Sequence, residues 1–165
     1  AFTVQVHREW APRGADRFYQ LVKNRFYNGV HINRVMPGYI AQFGLSPYPA
    51  VTAAWKAITL TDDPAKASNT IGRVAFAMTG PDTRSTQVYI NLGDNAQLDV
   101  EGFAPFGEVV TGMDVVERLY PLYGNNAGGG MRHGRQGPLE QGGADYVFTH
   151  YPLLDYIVNA NVVGE

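Results

Sequence analysis

Apolar and polar residues alternate over residues 2–7, with Phe2, Val4 and Val6 set against Thr3, Gln5 and His7. A period of two puts one set on each face, so the pattern predicts a half-buried strand. The period then changes. Pro12 suits the first turn of a helix, and Phe18, Leu21, Val22 and Arg25 follow at helical spacing before the Asn28-Gly29 turn signal. Residues 30–35 read as a second strand, which Met36-Pro37-Gly38 breaks and residues 39–43 resume. Pro47, Pro49 and Pro64 argue against long elements over 45–72. Further strands are predicted at 74–78, 87–92 and 103–110, with a loop at Gly80-Pro81-Asp82-Thr83. Gly112 precedes a short amphipathic helix with Met113, Val116 and Leu119 on one face. Residues 124–143, rich in glycine (Gly128, Gly129, Gly130 and Gly134 among them), read as a flexible surface loop. A late helix at 151–158 and a last strand at 160–163 complete the pattern. Short strands, frequent turns and two or three helices point to a β-barrel or sandwich with helical plugs.

Composition narrows the function classes. At 165 residues, 45% hydrophobic and 17% charged, the chain suits one globular domain, and no linker or repeat divides it. The net charge of −2 offers no basic face, so nucleic acid and anionic membranes are not expected partners. Without cysteine, disulfides and thiol chemistry are excluded. No apolar run approaches the roughly 18 residues of a membrane span. The chain starts at Ala1 rather than Met, which leaves the compartment open: cytoplasmic, or exported if a leader has been removed.

Three stretches hold the candidate chemistry: FYNGVHINRVMPGYIAQFG (26–44), AMTGPDTRSTQVYIN (77–91) and LDVEGFAPFGEVVTGMDVVERL (98–119). Read alone, Arg34 on an apolar strand fits an ion-paired or snorkelling side chain, and Gln42 a core amide. Tyr89, Phe103 and Phe106 read alone as core aromatics. Together, in order and at similar spacing over residues 2–120, the stretches resemble the cyclophilin-type peptidyl-prolyl isomerase family, with its F-H-R-x-x-P-G-[FY]-x-x-Q-G, M-A-x-x-G-P-x-T-x-x-S-Q-F-F-I and L-D-x-x-H-x-x-F-G-x-V segments.

The resemblance implies a mainly β fold, a closed antiparallel eight-stranded barrel capped by two helices, with residues 121–158 inserted as a loop and helix in a single domain spanning 1–165. It places Arg34 on the family's catalytic arginine and Gln42 on its active-site glutamine. Tyr39 stands for a phenylalanine and Ile40 for a methionine. Ala77, Met78 and Thr79 fall on the peptide-binding segment, usually Ala-Asn-Ala. Gln87 matches the second glutamine, Tyr89 replaces the pocket phenylalanine, and Leu98 matches the pocket leucine. Two departures stand out: Gln97 where many members have tryptophan, and Phe103 where many have histidine, after a one-residue insertion near Val100.

The implied reaction is cis–trans isomerisation of X–Pro bonds in peptides and folding protein clients, by a monomer, with no metal or cofactor. Isomerisation is slow because amide resonance must be broken. A guanidinium donating toward the prolyl nitrogen favours the twisted state over the planar ones. Gln42 would hold the arginine or the substrate carbonyl. Cyclosporin, a family ligand, is expected to bind weakly because Gln97 lacks the indole. The altered pocket keeps a second reading open, a proline-peptide binding module with little catalysis. An interaction role for the 121–158 insert is compatible with either. Other constellations are weak. The histidines His7, His31, His133 and His150 lack metal spacing, Asp62-Asp63 reads as a solvated turn, Ser85 lacks a G-x-S-x-G context, and Gly128-Gly129-Gly130 is a loop rather than a phosphate cradle.

Overall fold

A computed structural model describes residues 1–133 and 135–164, and of His133 the backbone alone. The His133 side chain and the loop position expected at Gly134 lie outside the described residues. Among the described residues six strands form one antiparallel sheet: β1 (Thr3–Val6), β2 (Arg34–Met36), β3 (Ile40–Phe43), β4 (Arg73–Phe76), β5 (Val88–Asn91) and β6 (Gly107–Thr111), in the order β1-β6-β4-β5-β3-β2. The described residues also form five helices, α1 (Pro12–Lys23), α2 (Pro49–Lys56), α3 (Gln97–Val100), α4 (Met113–Glu117) and α5 (Gly137–His150), with a 3-10 turn at Met131–His133. No helix among the described residues is long and apolar enough to cross a membrane.

The closed eight-stranded barrel is corrected to this open six-stranded sheet. The last strand expected at 160–163 does not form. Instead the Ala160 amide donates to the Asn28 side chain at 2.9 Å, and β1 pairs with β6 alone. The strand expected over 30–35 starts only at Arg34, because the backbone before it is engaged elsewhere. Gly29 N–H donates to Ile157 O at 2.6 Å, Ile157 N–H to Val30 O at 2.9 Å and Ile32 N–H to Asp155 O at 2.9 Å. The same bonds hold 155–157 extended, so the helix expected over 151–158 does not form.

Three helices lie where none is expected from the sequence: α2, the short α3 and α5. Pro49 opens α2 in its first turn, where a missing N–H costs nothing. Helix α5 begins inside the glycine-rich stretch and kinks at Gly143 (φ 60, ψ −151). A side chain there would collide with the Pro47 carbonyl, which accepts the Ala144 N–H at 3.1 Å. That close approach docks α5 onto the segment before α2, and the Lys56–Glu140 ion pair at 2.8 Å adds to it.

The core lies on one face of the sheet. Ala41 and Phe43 of β3, Val74 and Phe76 of β4, and Val88 and Ile90 of β5 pack against Leu21 and Val22 of α1 and against Tyr27 and Phe106. Helix α1 has no side-chain cap of its own. Asp63 supplies one from a distance, accepting Arg13 N–H at 3.1 Å and Gly14 N–H at 2.9 Å, and it pairs with Arg84 at 3.1 Å. The expected solvated turn at Asp62-Asp63 is thus corrected at Asp63, which is buried.

Candidate active site

Strand alternation decides which side chains leave the core face. Ala41 and Phe43 point into the main core, so Ile40 and Gln42 point the other way, and Tyr89 and Ala75 do the same on β5 and β4. Register then aligns them. Arg34 stands opposite Gln42, Gln42 opposite Tyr89, and Tyr89 opposite Ala75, one row across four neighbouring strands. Ile40, Ala75, Ala77, Met78, Tyr89, Leu98 and Phe103 form a second, smaller apolar cluster on this face.

A cleft of about 160 Å³ opens there. That is smaller than the roughly 300–1,000 Å³ of drug-sized ligand sites. Nine of the expected site residues line it: Arg34 and Gln42 at the polar end, and Tyr39, Ile40, Ala77, Met78, Tyr89, Leu98 and Phe103 around it. The other three are placed differently. Thr79 and Gln87 line a neighbouring cavity of about 390 Å³. Gln97 is exposed at the start of α3, and its Nε2 donates to Asn95 Oδ1 at 3.4 Å.

The polar end is a continuous chain of hydrogen bonds. Arg34 Nη1 donates to Gln42 Oε1 at 3.3 Å, and Gln42 Nε2 donates to Gln87 Oε1 at 3.1 Å. Gln87 Nε2 donates to Gln136 Oε1 at 2.9 Å. At the other end Arg34 Nε donates to Asn125 Oδ1 at 2.8 Å. Gln42, Gln87 and Gln136 are buried, so each amide is oriented by its neighbours. Arg34 is half-buried and has no carboxylate partner among the described residues. Burial lowers its pKa from the ordinary arginine value, opposed by Tyr39, whose ring lies 5.9 Å from the guanidinium carbon. An arginine so shifted stays a cation at neutral pH.

The apolar wall is fixed from behind. Tyr89 meets Phe103 edge-on at 5.8 Å, and its hydroxyl donates to Asn69 Oδ1 at 2.7 Å. Asn69 Nδ2 donates in turn to Asp99 Oδ1 at 2.7 Å and to Phe103 O at 3.1 Å. Burial, with the neighbouring Tyr39, Asp99 and Glu101, raises Tyr89 well above the ordinary tyrosine value, so it acts as a neutral wall.

The sequence reading missed Glu101, Gly130, Met131 and Arg132, which also line the cleft. Arg132 bonds Glu101 at 2.9 Å and lies 5.5 Å over the Phe103 ring. Glu101 sits inside the third motif and its place beside Leu98 was a usable signal. The other three come from the glycine-rich stretch 124–143, which has no periodicity to read. No group of three or more His, Asp or Glu side chains among the described residues is placed to hold a metal.

The family model "Cyclophilin type peptidyl-prolyl cis-trans isomerase/CLD" matches residues 1–128. A peptidyl-prolyl cis-trans isomerase of Acinetobacter baylyi is 35% identical over 121 residues, 70% of this chain and 64% of that protein. Peptidyl-prolyl cis-trans isomerase A of Dickeya dadantii is 32% identical over 123 residues, 72% of this chain and 65% of that protein. The match therefore spans somewhat under two thirds of these relatives' length. The fold resembles a cyclophilin-type isomerase of Cryptosporidium parvum crystallised in the presence of the dipeptide Ala-Pro, with a TM-score of 0.59 at 18% identity over 72% of this chain and 80% of that one. With arginine and glutamine paired over an apolar cleft and the family model covering most of its length, the chain belongs to the cyclophilin-type peptidyl-prolyl cis-trans isomerase family.

Proposed function

We propose that this chain, acting as a single-domain monomer, accelerates cis–trans rotation of X–Pro bonds in peptides and unfolded proteins. The observation that carries the reading is Arg34, a half-buried cation tethered by neutral amides at the edge of an apolar cleft. A half-buried charge without a counter-ion is costly unless it is hydrogen-bonded, and Asn125 and Gln42 supply those bonds while leaving other donors unused. Here its free donors serve the prolyl nitrogen as the imide twists and its lone pair localises. Planar ground states offer that nitrogen no localised lone pair, so the interaction is made in the transition state. Gln42 orients the guanidinium. Tyr39, Ile40, Ala77, Met78, Tyr89, Leu98 and Phe103 hold the pyrrolidine ring. Thr79 and Gln87, lining the adjoining cavity, meet the peptide beside the proline. The Ala-Pro dipeptide named for the Cryptosporidium relative supports a proline ligand of this kind.

No covalent step is involved, and no group has to lose or gain a proton. The test is a coupled isomerisation assay on the purified chain with an X-Pro peptide. Acceleration well above the uncatalysed rate is expected. Peptide binding without acceleration would make the chain a proline-binding module instead.

A further inference from the structure

The insert reaches both ends of the hydrogen-bonded chain at the active site. At one end Asn125 Oδ1 accepts from Arg34 Nε at 2.8 Å. At the other, Gln136 exchanges two bonds with Gln87, each 2.9 Å, and its Nε2 also donates to Gly129 O at 3.2 Å. The bond to Asn125 is the shorter of Arg34's two, since Gln42 lies at 3.3 Å. It is also the one that engages Nε, next to the flexible stem. Two acceptors on different donors fix the plane of a guanidinium, whereas one leaves it free to rotate. The Nη2 donors have no partner among the described residues.

Resting on the isomerase reading above, we propose that Asn125 is a positioning residue. Its side-chain oxygen fixes the plane of the Arg34 guanidinium so that the unpartnered donors face the twisting imide. The insert thereby completes the catalytic geometry, and Gln42 alone does not suffice. Misplacing a reacting group by about an ångström costs up to ~100-fold in rate. Removing one of two anchors is expected to cost about 10-fold or more, in kcat rather than KM, because the apolar cleft that binds proline is untouched.

The experiment compares wild type, N125A, N125D, R34A and the double variant N125A/R34A in the coupled assay, with circular dichroism to verify folding. N125A is expected to lose about 10-fold in kcat with KM within about 2-fold. N125D, which keeps the acceptor oxygen, is expected to regain most of the loss. In the R34A background, N125A is expected to change the residual rate by less than about 2-fold, because Asn125 acts through Arg34. A folded N125A with normal kcat, beside a crippled R34A, overturns this inference and leaves the isomerase reading standing. A full N125A loss that persists without Arg34 overturns it too, since the insert then acts by another route. Full activity in R34A removes the isomerase role of Arg34 and this inference with it.

Discussion

The Asp63–Arg84 pair gives a prediction about stability that the catalytic residues do not touch. The Asp63 side chain is 0% exposed and that of Arg84 3%. Asp63 accepts two N–H groups at the start of α1 and two donors from Arg84, at 3.1 and 3.2 Å. Asp63→Ala removes the buried partner of the Arg84 guanidinium, whose Nε makes no hydrogen bond among the described residues, and leaves it only the partly exposed Asp62 carboxylate at 3.7 Å. Breaking one side of a buried pair costs about 3–5 kcal/mol. Loss of the remote helix cap adds roughly 1 kcal/mol. For a chain of this length each kcal/mol moves Tm by about 2–4 °C. D63A is therefore expected to lower Tm by at least ~8 °C in a calorimetric melt, with isomerase activity per folded molecule unchanged at low temperature. Arg84→Met is expected to cost less, because Asp63 then keeps both helix N–H donors and the favourable end of the helix dipole. A D63A shift below about 3 °C, or a larger loss in R84M, would refute the assignment of Asp63 as the cap of α1.

Two further predictions use other parts of the molecule. Gln97→Trp is expected to tighten inhibition by cyclosporin at least ~10-fold while kcat/KM stays within a few-fold, since Gln97 lies outside the proline cleft and an exposed indole there offers apolar area to a large ligand; unchanged inhibition in Q97W would sink the mapping of residues 94–103. His31 is buried among Phe148 and Tyr156, its Nε2 has no partner among the described residues, and burial lowers its pKa from 6.5. The unfolded chain binds that proton first, so the His31 contribution is fully present above about pH 6.5 and is lost as pH falls from there through the folded-state value. Denaturant melts are expected to show stability falling below pH 6.5 and His31→Phe flattening that slope, while kcat/KM on the folded enzyme stays level from about pH 6 to 8 because the cleft requires no titration there; a slope unchanged in H31F would contradict the assignment.

What could be read from the sequence depended on how local the signal was. The alternation in β3 and β5 and the three motifs put nine of twelve expected residues in one cleft, because strand periodicity fixes the face and register follows from antiparallel pairing. Gln97 was assigned by motif position, but the position lies at the exposed start of a four-residue helix, and side-chain direction there is not periodic in a way the sequence displays. The number of strands was not legible for a different reason. Residues 30–33 carry a good strand pattern, yet their backbone bonds go to 155–157, more than a hundred residues away. Helices α2 and α5 were hidden by prolines and glycines that look like breakers. Pro49 sits in a first turn and Gly143 at a kink, both places where those residues are favourable. Asn125 and Gln136 lie in the glycine-rich stretch 124–143, where no periodicity marks a functional side chain.

The central claim is that the Arg34 guanidinium stabilises the twisted imide. The most direct measurement is kcat/KM of R34A against wild type in the coupled X–Pro assay, with the fold verified by its circular dichroism and melt. The account predicts a fall of at least ~100-fold, roughly 3 kcal/mol of transition-state stabilisation, in a protein that remains folded. A folded R34A with near wild-type kcat/KM would contradict it.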